Sequence, residues 1–290
     1  MLVSTLFSRI NYALRGSDDT TPTEGSNDAN YWLDVINRKQ DEFALDPLEN
    51  WTSLFGVSAV EIGTVATTGT TTLTGTSTLF ENFSAGDKIL VSGETVRTID
   101  TISSDTVLTV TVAFSNTATG KTFTRTPVVS SAVQVYNLNS RLIRPSDDVY
   151  VTTTDNERID FSLLKPQLRD FVPNPVFISG INPQTLTFVD DITATSQLVG
   201  GTITVGGYFK PAELTAFSAT VELPDPNWLA MATAAEIAFN DVSYEDKSAE
   251  LNAKANALYM AMKAANRRGT ITHPRTIPTS VRRIRGATDV

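Results

Sequence analysis

From about residue 60 to residue 223 the chain is written in Thr and Val, alternating at period two and punctuated by Gly, Asn and Asp; no other feature restricts its fold as strongly. β-Branched side chains have few rotamers to lose on a pleated surface, and strict alternation buries one face of a strand while wetting the other. This stretch therefore predicts β structure. Inside it, residues 64–126 read as self-contained. The runs "TTTLTGTSTLF", "DKILVSG", "ETVRTIDTI", "DTVLTVTVAF" and "KTFTRT" predict five short strands. Turns are expected at Ala85-Gly86-Asp87, Ser92-Gly93-Glu94 and Ser103-Ser104-Asp105. Alternation points Leu73, Leu79, Ile89, Val91, Ile99, Ile102, Leu108, Val110 and Phe114 inward, enough for one small barrel or sandwich with a marginal core. A second β set follows in "SAVQVYNL", "DDVYVTTTDN", "RIDFSLL", "PVFISGI", "TLTFVDD", "GGTITVGGYFKP" and "FSATVELP". Pro166, Pro173, Pro175 and Pro183 confine several of these runs to edges or loop starts.

The two ends of the chain have helical spacing instead. Leu6, Ile10, Ala13 and Leu14 share one face of a helix over 5–15. A loop rich in Gly, Ser, Asp and Thr follows, and Asn27 or Asp28 can cap a second helix over 28–45. Its stripe is Trp32, Val35, Ile36, the stem of Lys39, and Phe43, and Asp46-Pro47 stops it. Toward the C-terminus, Asp225 caps and Pro226 opens a helix over 226–240. Leu251, Ala255, Leu258, Met262 and Ala265 then step along one face of a helix over 244–267, with Gly269 as its stop. Four such stripes need one another, so Trp32 and Trp228 are expected to be buried where these helices pack.

The last 22 residues, "GTITHPRTIPTSVRRIRGATDV", have no apolar period, and Pro274 and Pro278 each remove a backbone donor. They also reverse the charge. Residues 1–250 hold 15 Lys and Arg against 31 Asp and Glu, net −16, whereas residues 251–290 hold 8 against one, net +7. A body this acidic does not hold nucleic acid by neutralising phosphates; the basic end alone could, and it could equally seek an acidic protein surface. Residues 269–290 are therefore expected to be either a disordered end or an arm that gains order only against something else.

The chain contains no cysteine and a single histidine, His273, which removes thiolate chemistry and leaves no material for a His-based triad or metal centre. The acid pairs Asp147-Asp148 and Asp190-Asp191 read as solvated turn residues. "GGTITVGG" flanks a β-branched strand rather than opening a helix, so it is no phosphate loop. A two-carboxylate glycosidase would set its acids among aromatics in a recognisable site, and no such arrangement is legible. No enzyme, cofactor or metal is expected. No apolar run reaches membrane-spanning length, and "MLVSTLFSRINYALRG" lacks the basic and apolar regions of a secretory signal.

In order along the chain, "SAVQVYNLNSRLIRPSDDVYV", "VGGTITVGGYFKPAEL" and "VELPDPNWLAMATAAEIAFND" resemble the head-to-tail adaptor proteins (head completion, or neck) of tailed bacteriophages. The resemblance covers roughly residues 1–60 and 127–290. Residues 64–126 are similar instead to a small β module inserted in various phage virion proteins. The resemblance implies an α+β fold. A helical bundle body, made of the N-terminal helices and the long C-terminal helix, would carry an antiparallel β section. It divides the chain into an adaptor body at 1–63 and 127–268, an inserted β barrel or sandwich at 64–126, and an extended C-terminal arm at 269–290. It further implies a structural virion protein, a homo-oligomeric ring of twelve at the neck. Such a ring docks under the portal protein and meets a tail, stopper or tail-completion protein below, with DNA only passing through its channel. In the arm, Arg275, Arg282, Arg283 and Arg285 would bond acidic portal groups while Ile277, Val281 and Ile284 anchor in apolar pockets. The other reading of the same texture is a different virion component of the tail, baseplate or decoration type.

Overall fold

The computed structural model describes residues 1–17, 21–164, 174–181 and 183–271. Four α-helices are present among them: α1 (Val3–Arg15), α2 (Asn27–Ala44), α3 (Pro226–Asn240) and α4 (Glu245–Ile271). The strands in chain order are β1 (Phe55–Gly56), β2 (Thr64–Thr68), β3 (Thr72–Thr76), β4 (Lys88–Val91), β5 (Arg97–Ser104), β6 (Val107–Val110) and β7 (Thr117–Lys121). They continue as β8 (Phe123–Thr126), β9 (Val135–Asn137), β10 (Leu142–Thr152), β11 (Arg158–Leu163), β12 (Pro175–Ser179), β13 (Thr185–Phe188) and β14 (Thr202–Phe209).

The expected α+β architecture with a helical bundle body is wrong. The described chain is mostly β, with two curled sheets of seven strands each and only four helices. The first sheet runs β1-β14-β10-β11-β12-β13-β9 and the second β7-β2-β3-β6-β5-β4-β8. The physical reason lies in residues 129–209. Their alternation supplies Val149, Val151, Phe161, Val176, Leu186, Ile203 and Val205 to one apolar face, a core separate from that of the helices. A sheet with its own core is a principal layer of the molecule, and the helices form another beside it. The β section is not wholly antiparallel either, since β11 and β12 pair in parallel, Ser162 with Pro175. The expected strand in "FSATVELP" does not form. Instead the carbonyls of Phe217 and Ala219 accept from the amides of Ser4 at 3.1 Å and Val3 at 3.0 Å. The first turn of α1 has no side-chain cap, so this segment satisfies amides that a helix start leaves unpaired.

The helical layer is organised by α3. Its buried residues, Trp228, Leu229, Ala230, Thr233, Ala234, Ala235, Ile237 and Ala238, occur on nearly every side of it. A helix that is apolar all round is surrounded, and α1, α2 and α4 all pack on this one. The amphipathic α1 and α2 turn Leu6, Ile10, Leu14, Trp32, Ile36 and Phe43 toward it. Trp32 and Trp228 are both buried, as their stripes require. The side chain of Ser26, one residue earlier than expected, caps α2 by accepting from the Ala29 amide at 3.2 Å.

All seven strands of the second sheet fall within residues 64–126. Two more form than the sequence runs predict, β2 and β7, which pair with each other. The edge strands β7 and β8 are separated in the chain by Thr122 alone, so the sheet curls until its two edges meet at that residue. Leu73, Ile89, Val91, Ile99, Leu108, Val110 and Phe114 are buried inside, with Ile102 partly buried against them. Leu79 is only half-buried; Phe80, beside it, takes the core position with Phe83 and Phe123.

Candidate functional site

The site implied by the sequence is the arm, and Arg275, Ile277, Val281, Arg282, Arg283, Ile284 and Arg285 all lie outside the described residues. What the structure does describe is the root from which that segment issues. Gly269 does not stop α4, which runs through it to Ile271. A single Gly costs a helix interior only about 1 kcal/mol relative to Ala, less than the packing and ion pairs available just before it.

Those ion pairs clamp the last turns of α4 to the 46–52 loop. Asp46 Oδ2 accepts from the Tyr259 hydroxyl and pairs with Lys263 Nζ at 2.9 Å, while its Oδ1 accepts from the Leu48 amide at 2.9 Å. Burial pushes the Asp46 carboxyl up, but these three donors and the Lys263 charge outweigh it and hold the pKa at about 2. The Tyr259 hydroxyl is pushed above its usual range, first by burial and then by the Asp46 carboxylate. The Glu49 side chain is almost wholly buried and receives Arg267 in a two-pronged contact, Nη2 at 2.6 Å and Nε at 3.1 Å. Asn266 accepts from the Thr52 amide at 3.0 Å and donates to the Asn50 carbonyl at 3.0 Å. From β10, Arg144 donates to the carbonyls of Asp46 and Glu49, tying the same loop to the first sheet. Beneath it, Trp51 stacks on Phe43 at 4.1 Å and donates Nε1–H to the Phe43 carbonyl at 2.9 Å. Arg267 is thus part of the folded body. The root of the basic segment is a fixed platform.

A second constellation joins the two sheets. Arg125 on β8 is buried and donates to Asp87 Oδ2 at 3.1 Å and, from the other prong, to the Asn137 carbonyl on β9 at 2.7 Å. Its guanidinium lies over the Phe83 ring, 4.8 Å from the centroid. Asp87 also accepts from the amides of Ser84 and Val128, each at 3.0 Å. Glu61, on the chain entering the second sheet, is buried beside them and accepts from the Ser140 hydroxyl at 3.2 Å. Burial raises the pKa of both carboxyls, against the pull of Arg125. An open cleft of about 190 Å³ lies alongside, lined by Arg125 together with Ala59, Pro127, Leu142, Tyr150 and Phe209. This joint was missed in the sequence, where Asp87 reads as a turn residue. The signal was present: in "FTRT" Phe123 and Arg125 alternate with two Thr, which puts the guanidinium on the apolar face.

The two acid pairs are not alike. Asp147 and Asp148 lie within β10 at a register shift rather than in a turn, and Asp148 pairs with Arg158 at 2.8 Å. Asp190 lies in the bend after β13 and Asp191 just beyond it, where Asp191 accepts from Gln134 at 2.6 Å. Among the described residues, no three His, Cys, Asp or Glu side chains are grouped as a metal site. No described helix is long and apolar enough to cross a membrane. No protein-family model and no curated protein matches the chain.

Proposed function

We propose that the chain is a structural assembly protein of a tailed-bacteriophage virion, an adaptor at the neck that docks under the portal and links head to tail. The observation that carries the reading is the clamped end of α4. Asp46, Glu49 and Arg144 fix the point from which a basic segment leaves an acidic body. A rigid root with a cationic extension suits docking onto a preformed acidic partner, because the ordering entropy is limited to the extension itself. The order of the resembling segments along the chain supports the same assignment. On this reading Arg275, Arg282, Arg283 and Arg285 bond the portal while Ile277, Val281 and Ile284 anchor. A homo-oligomeric ring, twelvefold by resemblance, then lines the DNA channel with acidic walls that do not retain DNA. Its lower face meets a tail, stopper or tail-completion protein. The weight of β structure favours a second reading, a tail, baseplate or decoration component of the same virion.

The test is co-expression with the portal protein of the same genome, followed by size exclusion and electron microscopy. The adaptor reading expects a ring on the portal with matching symmetry. Truncation after Ile271, or Arg282→Ala with Arg283→Ala and Arg285→Ala, should weaken that complex at least tenfold. A full chain that ignores the portal but incorporates into tails would establish the second reading instead.

A further inference from the structure

The N-terminal end of α4 carries an exposed apolar and acidic patch with no occupant among the described residues. Phe239 and Val242, in the six residues before the helix, are 73% and 89% exposed. Asp241 and the exposed Glu245 and Asp246 belong to the same short stretch of chain, and neither Glu245 nor Asp246 forms an ion pair among the described residues. The cations nearby are engaged: Lys247 donates to the Leu14 carbonyl at 2.6 Å, and Arg15 to the Tyr244 hydroxyl at 2.8 Å. From this patch, exposed Ala249, Ala253, Ala257, Met260 and Ala264 recur at helical spacing along one face of α4, leading to its other end.

We propose that the occupant is the chain's own C-terminal segment, residues 272–290, folded back along α4 in the free protein. Chemistry and length both select it. The segment carries four arginines against one aspartate, with Ile277, Val281 and Ile284 interspersed, so it matches an acidic patch with an apolar centre. The 27 residues of α4 span roughly 40 Å at 1.5 Å per residue. Residues 272–283 cover roughly 40 Å when extended at about 3.3 Å per residue. A segment leaving the C-terminal end of α4 and returning along it therefore brings Arg282, Arg283 and Arg285 level with Glu245 and Asp246, and Ile284 level with Val242. The alanines of the stripe let a second backbone approach the helix closely. The contact does not depend on the portal reading. If that reading holds, portal and patch compete for one segment, and the arm is released only on docking.

The absence of cysteine makes a direct test possible in the full chain, since introduced thiols react only with each other. One variant carries Val242→Cys with Ile284→Cys. The control carries Leu48→Cys with Ile284→Cys. Both partner positions are strongly exposed, and Leu48 sits in the loop clamped to the other end of α4. A freely moving segment closes the shorter span first, so it crosslinks to position 48 faster. The fold-back reverses that order: under mild oxidation the Val242 pair closes within one monomer at least tenfold faster than the Leu48 pair. Glu245→Lys with Asp246→Lys should slow it at least fivefold, as should high salt. Faster closure at position 48, or a disulfide-linked dimer as the main product, overturns the proposal.

Discussion

Arg125 Nε and Glu61 Oε1 face each other 3.6 Å apart across the joint between the two sheets, and neither atom makes a hydrogen bond within the chain. The reason is stoichiometric. Asp87 already pairs with the guanidinium through Nη1 and takes two backbone amides besides, so one buried cation stands against two buried carboxyls. Burial raises the pKa of the surplus carboxyl, Glu61, above its ordinary value despite the neighbouring guanidinium.

Removing either partner then has opposite consequences. Arg125→Met leaves two acids buried without their cation and should cost about 3–5 kcal/mol of unfolding free energy, read from urea denaturation. Glu61→Gln replaces a carboxyl by its neutral isostere and should cost less than about 1 kcal/mol at pH 5. At pH 8 it should be neutral or stabilising. A group whose folded pKa is raised contributes stability below its unfolded pKa and loses it as pH rises through the folded value. The wild-type chain should therefore lose stability from just above pH 4.5 upward relative to Glu61→Gln. Parallel stability curves for the two proteins between pH 4 and 8 would contradict the assignment.

Asp46 has the opposite sign. Its pKa is lowered to about 2, so its contribution is complete above 3.8 and disappears as pH falls from there through 2. Asp46→Asn keeps a side chain able to accept from Tyr259 but abolishes the pairing with Lys263. It should release the C-terminal turns of α4 first. Hydrogen exchange over residues 255–267 should accelerate at least tenfold at pH 7, while α1 and α3 keep their protection.

The entry to the second sheet depends on one glycine. Gly63 has φ +85°, and a Cβ built there would lie 2.5 Å from the Thr76 carbonyl oxygen and 2.6 Å from that of Ser77. Both obstacles are backbone, which cannot swing aside. Gly63→Ala should destabilise by about 2 kcal/mol or more, since left-handed backbone strain adds to the clash. Gly86→Ala is the useful comparison, because its φ is also positive, +96°, yet nothing lies within 4 Å of the added atom. Its cost should be the smaller by at least about 1 kcal/mol in thermal unfolding. Equal costs at the two positions would show that strain alone acts.

What the sequence revealed followed periodicity. The stripes of α1 and α2, the Asp225-Pro226 start of α3 and seven of the second sheet's inward residues are local patterns that their own neighbours enforce. The architecture was misjudged because patterns do not say how much core each region owns. The β-branched face contributed by Val149, Val151 and Ile203 makes a layer in its own right, and four helical stripes do not outweigh it. In the sequence Asp46 reads only as a helix stop, and its pairing with Tyr259, like that of Glu49 with Arg267, is invisible because each spans more than 200 residues of chain. Arg125 was hidden differently. A cation on an apolar strand face looks like an exception until Asp87 and Phe83 are brought beneath it from earlier in the chain.

The remaining prediction concerns how far the two sheets depend on each other. The chain enters and leaves the second sheet at neighbouring points, since the Glu61 amide donates to the Phe123 carbonyl at 2.8 Å. No residue of 64–126 belongs to the core of the helical layer or to that of the first sheet. Replacing 64–126 by a short Gly/Ser linker should therefore leave both cores intact. The losses are confined to the joint, chiefly the bond from Arg125 to the Asn137 carbonyl and that from the Val128 amide to Asp87. At about 1 kcal/mol per hydrogen bond the cost should be about 2–4 kcal/mol. Glu61, no longer beside Arg125, becomes exposed and ionises normally, so the deleted chain should also lose the alkaline decline in stability seen for the wild type. The measurements are far-ultraviolet dichroism, which should keep its helical signal, and cooperative thermal unfolding at pH 5 and pH 8. An insoluble product, or one without a cooperative transition, would mean that the second sheet is needed to fold the first.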